Sequence, residues 1–410
     1  MDDARVVSSP SRRAFLGKPA LGVSALGLSA ASAGVALRVI TEPMLAYAAA
    51  APRMGHDGIR IDANENPLGP CATAREAVAA IAPQGGRYSM WLTDDLTKQL
   101  AQVTGLPAEY VHIYAGSSEP LHSAVAAFAS PQRSYVTADP GYEAGMFAAE
   151  AVKARVVKVP LAKDYAHDVR AMAAAGPDAG IFYICNPNNP TGSVTSHSDI
   201  EYLVENKPKD SIMLVDEAYI HFSDTESVLD LVKADKDVLV LRTFSKIYGM
   251  AGLRCGAIFG KPALMEKVEN YGGWNFMPIT ALVAAAASLK DLQLIPERKR
   301  INAGIRNDVF AWLDRNGYHY VPSQSNCFML DTRRNGKEVI EAMAKQNVHI
   351  GRIWPVWPTY VRITVGTAPE MDQFQTALKK VMTGSVTASL SPARAGRRSS
   401  DLPRQRELSS

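Results

Sequence analysis

The sequence predicts an α/β protein whose larger domain contains a mostly parallel β-sheet. From Tyr110 onward, short apolar runs alternate with longer helical segments, and strands separated by helices are typical of a parallel sheet covered on both faces. The run Ile212-Met213-Leu214-Val215 is continuously apolar, as expected for a central strand. After Ala285, longer helical patterns with fewer strands predict a second, smaller α/β domain.

The predicted elements follow one another in a regular order. A helix is expected at Glu119–Ala129, directly after the first strand of the larger domain, and the smaller domain is expected to hold strands at Cys327–Leu330 and Tyr360–Val365. The strands expected in the larger domain are Val111–Tyr114, Ser134–Thr137, Arg155–Val159, Ile181–Cys185, Ile212–Val215, Val238–Arg242 and Cys255–Phe259.

The first 50 residues are typical of a twin-arginine export signal. Arg12-Arg13 precedes an apolar stretch from Pro19 to Ile40, and Ala46-Tyr47-Ala48 or Ala48-Ala49-Ala50 fits a small-x-small cleavage motif. The prediction is therefore a periplasmic or otherwise exported protein. An uncleaved signal that tethers the protein to the membrane remains an alternative.

Composition divides the rest of the chain. Residues 51–83 are predicted to form an N-terminal arm and part of the small domain, and residues 84–285 the large domain. Residues 286–383 complete the small domain. Residues 384–410 are rich in Ser, Arg and Pro and are predicted to form a disordered tail.

Composition also excludes several classes of protein. Hydrophobic residues make up 47% and charged residues 21% of the 410 residues, so the chain can bury a large core. The formal net charge is only +3, and the tail alone holds five arginines against two acids, so no nucleic-acid-binding surface is expected. The four cysteines form no CxxC or His/Cys cluster, so neither a disulfide scaffold nor a metal site is expected.

Polar motifs follow several of the predicted strands, and ligands gather at the carboxyl ends of strands in α/β sheets. Gly116-Ser117-Ser118-Glu119 opens a helix whose free N–H groups favour a phosphate, although an ordinary serine cap is the alternative. Asn186–Gly192 is a rigid turn with three asparagines. Asp216 and Tyr219 follow the next strand.

Ser245-Lys246 follows the strand Val238–Arg242, and Arg254 comes eight residues later. A partly desolvated lysine beside the cation Arg254 is expected to have a lowered pKa and to be nucleophilic. The order of phosphate-binding turn, amide, acid with phenol, and lysine matches the needs of pyridoxal phosphate. That cofactor requires an amine for its aldehyde and a carboxylate opposite its ring nitrogen.

These residues carry a resemblance to a known family. The sequence resembles fold-type I pyridoxal-phosphate aminotransferases of class I/II, and most closely the histidinol-phosphate aminotransferases, from about residue 60 to about residue 380. The shared segments are Asn64–Pro70, Asn186–Gly192, Asp216–Tyr219, Arg242–Lys246, Gly252–Gly256 and Val361–Thr367.

The resemblance implies a role for each cofactor-binding residue. Lys246 forms the Schiff base with the cofactor and moves the α-proton, and Asp216 pairs with the ring nitrogen. Tyr219 and Asn189 contact the ring oxygen, and Tyr142 stacks on the ring. The residues implied to bind the phosphate are Ser117, Ser118, Ser245, Arg254 and, from a neighbouring subunit, Tyr88, so the resemblance also implies a homodimer.

The substrate side is less constrained. The resemblance implies that Arg362 binds an acidic group of the substrate, because its planar fork suits a carboxylate or phosphate. Arg352 and Asn64 are further candidates for binding the substrate. Alternatively, Arg352 is a surface arginine, and Asn64 only helps to shape an access loop. Trp354 and Trp357 predict a flat wall for an aromatic ring, or only domain packing.

The expected reaction is transfer of an amino group from a donor to a 2-oxo acid. Histidinol phosphate is the donor that the resemblance implies, and aromatic amino acids are the rival, because export fits poorly with histidine biosynthesis. A decarboxylase or lyase on the same fold also stays open.

Overall fold

The structure, a computed structural model, describes residues 58–273 and 276–384. The predicted signal segment 1–50, with both candidate cleavage motifs, lies outside the described residues. The same holds for the predicted tail 384–410 beyond Gly384. No single helix in the described part is long and apolar enough to cross a membrane, although one bent helix pair, Ile279–Lys290 with Leu294–Arg315, reaches that threshold by length and composition.

The secondary structure alternates along the chain. The strands of the described residues are β1 Ile59–Ile61, β2 Val111–Tyr114, β3 Ser134–Asp139, β4 Val156–Pro160, β5 Ala179–Cys185, β6 Ile212–Asp216, β7 Val238–Thr243, β8 Gly256–Phe259, β9 His319–Tyr320, β10 Cys327–Asp331, β11 Val348–Ile350 and β12 Tyr360–Thr364. The α-helices are α1 Ala72–Ile81, α2 Trp91–Thr104, α3 Ser118–Phe128, α4 Ala144–Ala151, α5 Val169–Ala175, α6 His197–Asn206, α7 Leu229–Lys233, α8 Pro262–Glu269, α9 Ile279–Lys290, α10 Leu294–Arg315, α11 Gly336–Ala344 and α12 Ala368–Thr383.

The large sheet has seven strands in the order β2-β8-β7-β6-β5-β3-β4. Strand β8 runs antiparallel to both of its neighbours, and the other neighbouring strands are parallel. This confirms the predicted fold class. The strands and the helix expected from the sequence agree with the observed ones to within two residues.

The centre of the large sheet is buried on both faces. Every residue of β5 and of β6 is buried, which explains why their apolar runs do not alternate with polar residues. Cys185, the last residue of β5, lies opposite Asp216, the last residue of β6. The polar segments that follow these strands therefore begin at the same edge of the sheet.

A second hydrophobic core surrounds the smaller sheets, in which β1 pairs with β11 and the strands β12-β10-β9 are antiparallel. Helix α10 joins the two cores, because it buries Leu294 in the first and Val309 in the second. Strand β1 belongs to the second core, whereas α1 buries Ala74 in the first. Residues 58–83, the described part of the predicted range 51–83, thus contribute to both cores, and the domain boundaries stay a prediction.

Candidate active site

A cavity of about 390 Å³ opens at the carboxyl ends of the central strands. Cys185, Asp216 and Thr243, the last residues of β5, β6 and β7, all line it. The side chains predicted from the sequence that the structure brings together here are Asn64, Ser117, Ser118, Tyr142, Asn189, Asp216, Tyr219, Ser245, Lys246, Arg254, Arg352 and Arg362. Their convergence follows from the shared direction of the parallel strands.

Lys246 presents its amine to this cavity. Nζ donates a hydrogen bond to the Asn64 carbonyl at 3.0 Å and lies 5.6 Å from the centre of the Tyr219 ring. Desolvation by the surrounding protein, with the positive charge of Arg362 second, lowers the pKa of Lys246 to about 8. The direction matches the sequence-based expectation, but the cation responsible is Arg362 rather than Arg254.

Asp216 is a buried carboxylate that also lines the cavity. One oxygen accepts from the Tyr183 hydroxyl at 2.9 Å, and the other accepts from the Ala218 N–H at 3.1 Å. Burial nevertheless raises the pKa of Asp216 to about 6. Within residues 58–273 and 276–384 no ion pair involves Asp216. A cationic ligand in the cavity would supply the partner that a buried carboxylate needs.

One end of the cavity suits a phosphate. Ser117 and Ser118 stand at the start of α3, and the Ser117 side chain makes no capping hydrogen bond, so it is not used by the helix. Arg254 donates to Ser245 Oγ at 3.3 Å and to the Ala115 carbonyl at 3.2 Å. The Arg254 guanidinium, the hydroxyls of Ser117 and Ser245, and a helix start with free N–H groups together favour binding of a dianion.

A glycine makes this close arrangement possible. Gly116 has a φ of +93°, and a Cβ at this position would collide with the Arg254 guanidinium. The turn before α3 can therefore approach Arg254 only without a side chain.

Arg362 also lines the cavity, where two acceptors hold it. Nη1 donates to Asn189 Oδ1 at 2.9 Å, and Nη2 donates to the Asp62 carbonyl at 2.8 Å. The side chain is 93% buried, since its exposed fraction is 7%. A buried guanidinium fixed in this way is preorganised to bind a carboxylate or phosphate.

Comparison with known proteins identifies the family. Residues 56–378 match the family model described as aminotransferase class I and II. The chain belongs to this aminotransferase family. It is a transaminase that depends on pyridoxal phosphate.

This aminotransferase is similar to several known proteins. It is 34% identical over 330 residues to a histidinol-phosphate aminotransferase of Symbiobacterium thermophilum, covering 80% of this chain and 91% of that one. It is 30% identical over 334 residues to an aromatic amino acid aminotransferase of Cutibacterium acnes, covering 80% and 94%. The histidinol-phosphate aminotransferase of Sinorhizobium meliloti, solved in complex with pyridoxal-5′-phosphate, matches in fold with a TM-score of 0.72 at 24% identity, covering 80% and 91%.

The residues of this aminotransferase fit its cofactor. Pyridoxal phosphate carries a phosphate, an aldehyde and a basic ring nitrogen, and the cavity offers a phosphate-binding end, an amine of lowered pKa and an unpaired buried carboxyl. Among the described residues, no group of three or more His, Cys, Asp or Glu side chains could hold a metal ion.

The remaining predicted residues lie outside the cavity lining. Tyr88 is 71% exposed and contacts Phe276 in a tilted arrangement, with 4.6 Å between ring centres. Trp354 is buried, and its indole N–H donates to the Gly141 carbonyl at 2.9 Å. Trp357 packs edge-on against Tyr165. Neither indole forms the expected wall of the cavity, so the packing alternative describes them better.

Sequence reasoning missed several residues that shape the site. Tyr183 holds Asp216, the Asp62 carbonyl holds Arg362, and Glu143 pairs with Arg352. Tyr183 precedes Cys185 by two residues and so shares its face of the strand. That spacing was the available signal, but only the strand register brings Tyr183 to Asp216.

The lowered pKa of Lys246 predicts a pH dependence in the apo-protein. The rate at which pyridoxal phosphate and a hydride reductant label Lys246 should rise with pH and level off above about 8, because only the neutral amine attacks an aldehyde. Removing the neighbouring charge in Arg362→Gln should move the midpoint to higher pH. Peptide mass spectrometry measures both, and a midpoint that stays or falls in the variant would contradict this explanation.

Proposed function

We propose that the cavity residues hold pyridoxal phosphate as follows. Asp216 faces the ring nitrogen, Lys246 binds the aldehyde carbon, and Tyr142 covers one face of the ring. Tyr219 and Asn189 bind the ring oxygen. The proposed phosphate ligands are Ser117, Ser118, Ser245 and Arg254, with Tyr88 of a second subunit. The proposal is supported by the lining of the cavity and by the buried, unpaired carboxyl of Asp216.

In the proposed reaction the chain binds, orients and moves a proton. The bound cofactor supplies an aldehyde for the donor amine and a ring that withdraws electrons from the substrate α-carbon. Lys246 Nζ takes the proton from that carbon, for which a pKa near the working pH is suited. The Asp216 carboxylate keeps a proton on the ring nitrogen, held in place by Tyr183.

We propose that the amino donor carries one anionic group beside its aminated carbon. This proposal depends on Arg362. Its guanidinium is buried and fixed by Asn189 and Asp62, and it lies close enough to Lys246 to lower the pKa of that amine. An anion on Arg362 would present the neighbouring carbon to the Lys246 amine. Orientation of this kind contributes much of an enzyme's rate enhancement.

Histidinol phosphate is the proposed donor, with aromatic amino acids as the second candidate. The relative of Symbiobacterium thermophilum carries the first name at 34% identity, and the relative of Cutibacterium acnes carries the second at 30%. The position of Trp354 and Trp357 outside the cavity lining weakens the residue-based argument for an aromatic substrate.

Initial rates on histidinol phosphate and on phenylalanine test the substrate proposal. Each donor is offered to the loaded enzyme with 2-oxoglutarate and, separately, with pyruvate as acceptor. We expect a kcat/KM at least about tenfold higher for histidinol phosphate, because its phosphate dianion binds Arg362 more strongly than a carboxylate does. A higher value for phenylalanine would select the second candidate, and inactivity on both would reject both donors.

We also propose that the enzyme is a homodimer. Large apolar side chains cluster on the surface around Tyr88, which is 71% exposed, and include Met90 at 59% and Trp91 at 61%. A second copy of the chain would cover this surface and bring Tyr88 to its neighbour's phosphate site. Sedimentation of the loaded protein tests this, and a monomer at micromolar concentration would contradict it.

Export through the twin-arginine route completes the proposal. It is supported by Arg12-Arg13 and the apolar stretch that follows. Fusing residues 1–50 to a folded reporter should export that reporter, and replacing both arginines by lysine should block its export. Export that persists after the replacement would contradict the assignment of this route.

A further inference from the structure

An acidic residue is paired with one of the cations of the cavity. Arg352 lines the cavity, and its Nη2 contacts the Glu143 carboxylate. The Arg352 side chain is 48% exposed and that of Glu143 21% exposed. Glu143 itself does not line the cavity and stands directly before helix α4. The positive charge that Arg352 brings to the cavity lining is therefore already balanced by Glu143.

The pair is held in position by Trp354. The indole lies beneath both substrate-side arginines, 4.7 Å from the Arg352 guanidinium carbon and 5.6 Å from that of Arg362. Its N–H bonds to the Gly141 carbonyl, two residues before Glu143. Arg352 thus lies between an aromatic face and a carboxylate, and both contacts oppose its movement toward a substrate.

The other cationic side chains that line the cavity differ from Arg352 in their partners. Arg254 belongs to the phosphate-binding end, where it bonds to Ser245, and Lys246 is the reactive amine. Arg362 has backbone and amide acceptors, which leave its charge unbalanced. A substrate carboxylate consequently meets one uncompensated guanidinium, Arg362, and one compensated guanidinium, Arg352.

We propose that Glu143 is a specificity-determining residue that neutralises Arg352 and thereby disfavours substrates with a second anionic group. The proposal rests on the proposed function, since it names the class of 2-oxo acid and amine that the same site accepts. A dicarboxylic acid bound at Arg362 would direct its second carboxylate to a pair of zero net charge. To gain Arg352, this carboxylate has to displace Glu143 or approach it against charge repulsion.

Replacing Glu143 by glutamine tests the proposal. We expect E143Q to lower the KM for 2-oxoglutarate about three- to tenfold, because an ion pair near the surface contributes modestly. The KM for pyruvate, which has one carboxylate, should change less than about twofold. E143D keeps the charge and should resemble the wild type. D224N is the matched control, because Asp224 pairs with Lys299 at the surface and does not line the cavity.

Binding of unreactive acids gives a second readout that needs no turnover. Calorimetry with the loaded enzyme should show glutarate binding tightened in E143Q by the same factor and butyrate binding unchanged. If Glu143 had only a structural role, E143Q would change the affinities for glutarate and butyrate by similar factors. That outcome, or an unchanged affinity for glutarate, would overturn the proposal. Absence of transamination with any acceptor would instead reject the proposed function, while the two acids would still decide the role of Glu143.

Discussion

Replacing Lys246 by alanine is expected to lower kcat by at least about 10⁴-fold, because one amine supplies both the covalent attachment of the cofactor and the proton transfer. In the part of the chain that the structure describes, Lys246 is the only lysine that lines the cavity. Asn64 fixes Nζ through its carbonyl, and Arg362 keeps the amine easier to deprotonate. Steady-state rates and the visible absorbance of the loaded protein measure the effect, and both should disappear.

Lys207 provides the matched control. Its amine also donates to a backbone carbonyl, that of Ser211, and burial lowers its pKa as well, but it lies outside the cavity lining. Lys207→Ala should keep kcat within about twofold of the wild type even if its Tm falls. Turnover retained in Lys246→Ala, or lost equally in both variants, would contradict the assignment of the catalytic amine.

The sequence predicts the parts of the site that follow from strand order. Each of the strands β5, β6 and β7 begins with an apolar run, and polar residues follow it, so parallel strands place these residues at one edge. Asp216 and Lys246 could therefore be identified together, although they are 30 positions apart in the chain. The agreement of the predicted strands β5 and β6 with the observed ones has the same cause, since a buried run has few alternative structures.

The remaining features depend on contacts between distant segments, which no local pattern encodes. Arg362 comes from β12, whose apolar residues lie in the second core, and it reaches Asn189 after β5 of the large sheet. Sequence spacing instead favours Arg254 as the cation beside Lys246, because it lies only eight positions away, whereas the positive charge that lowers the pKa of Lys246 is that of Arg362. For Trp354 the sequence leaves two alternatives open, an aromatic wall for the substrate and domain packing. The indole lies beneath two arginines, and the Gly141 carbonyl accepts from its N–H, as a buried indole requires.

Replacing Asp216 by asparagine is the second substitution for which we expect a large effect. It should reduce the activity and stabilise the apo-protein. An uncharged amide cannot hold a proton on the ring nitrogen, so kcat should fall about 10²- to 10³-fold. The folded-state pKa of Asp216 is raised to about 6 from an ordinary 3.8. The protonated carboxyl therefore favours folding below about pH 4, and this contribution is lost as the pH rises through 6.

Asparagine carries no charge at any pH, so the Asp216→Asn variant should not lose folding stability as the pH rises through 6. The free energy of unfolding of apo Asp216→Asn should exceed that of the apo wild type by up to about 3 kcal/mol at pH 8 and by little at pH 4. Adding pyridoxal phosphate should raise the Tm of the wild type more than that of the variant, because only the carboxylate gains a cationic partner.

Glu217→Gln supplies the contrasting substitution one residue along the chain. Glu217 is equally buried, but it accepts from Arg242 Nε at 2.9 Å and from the Val228 N–H at 2.8 Å. Removing its charge leaves a guanidinium without its buried partner and should destabilise the apo-protein at pH 8. If the first substitution raises the free energy of unfolding of the apo-protein at pH 8 and the second lowers it, Asp216 serves a ligand and Glu217 serves the fold. An apo Asp216→Asn protein that is less stable than the wild type at pH 8, with kcat within about threefold, would contradict that assignment.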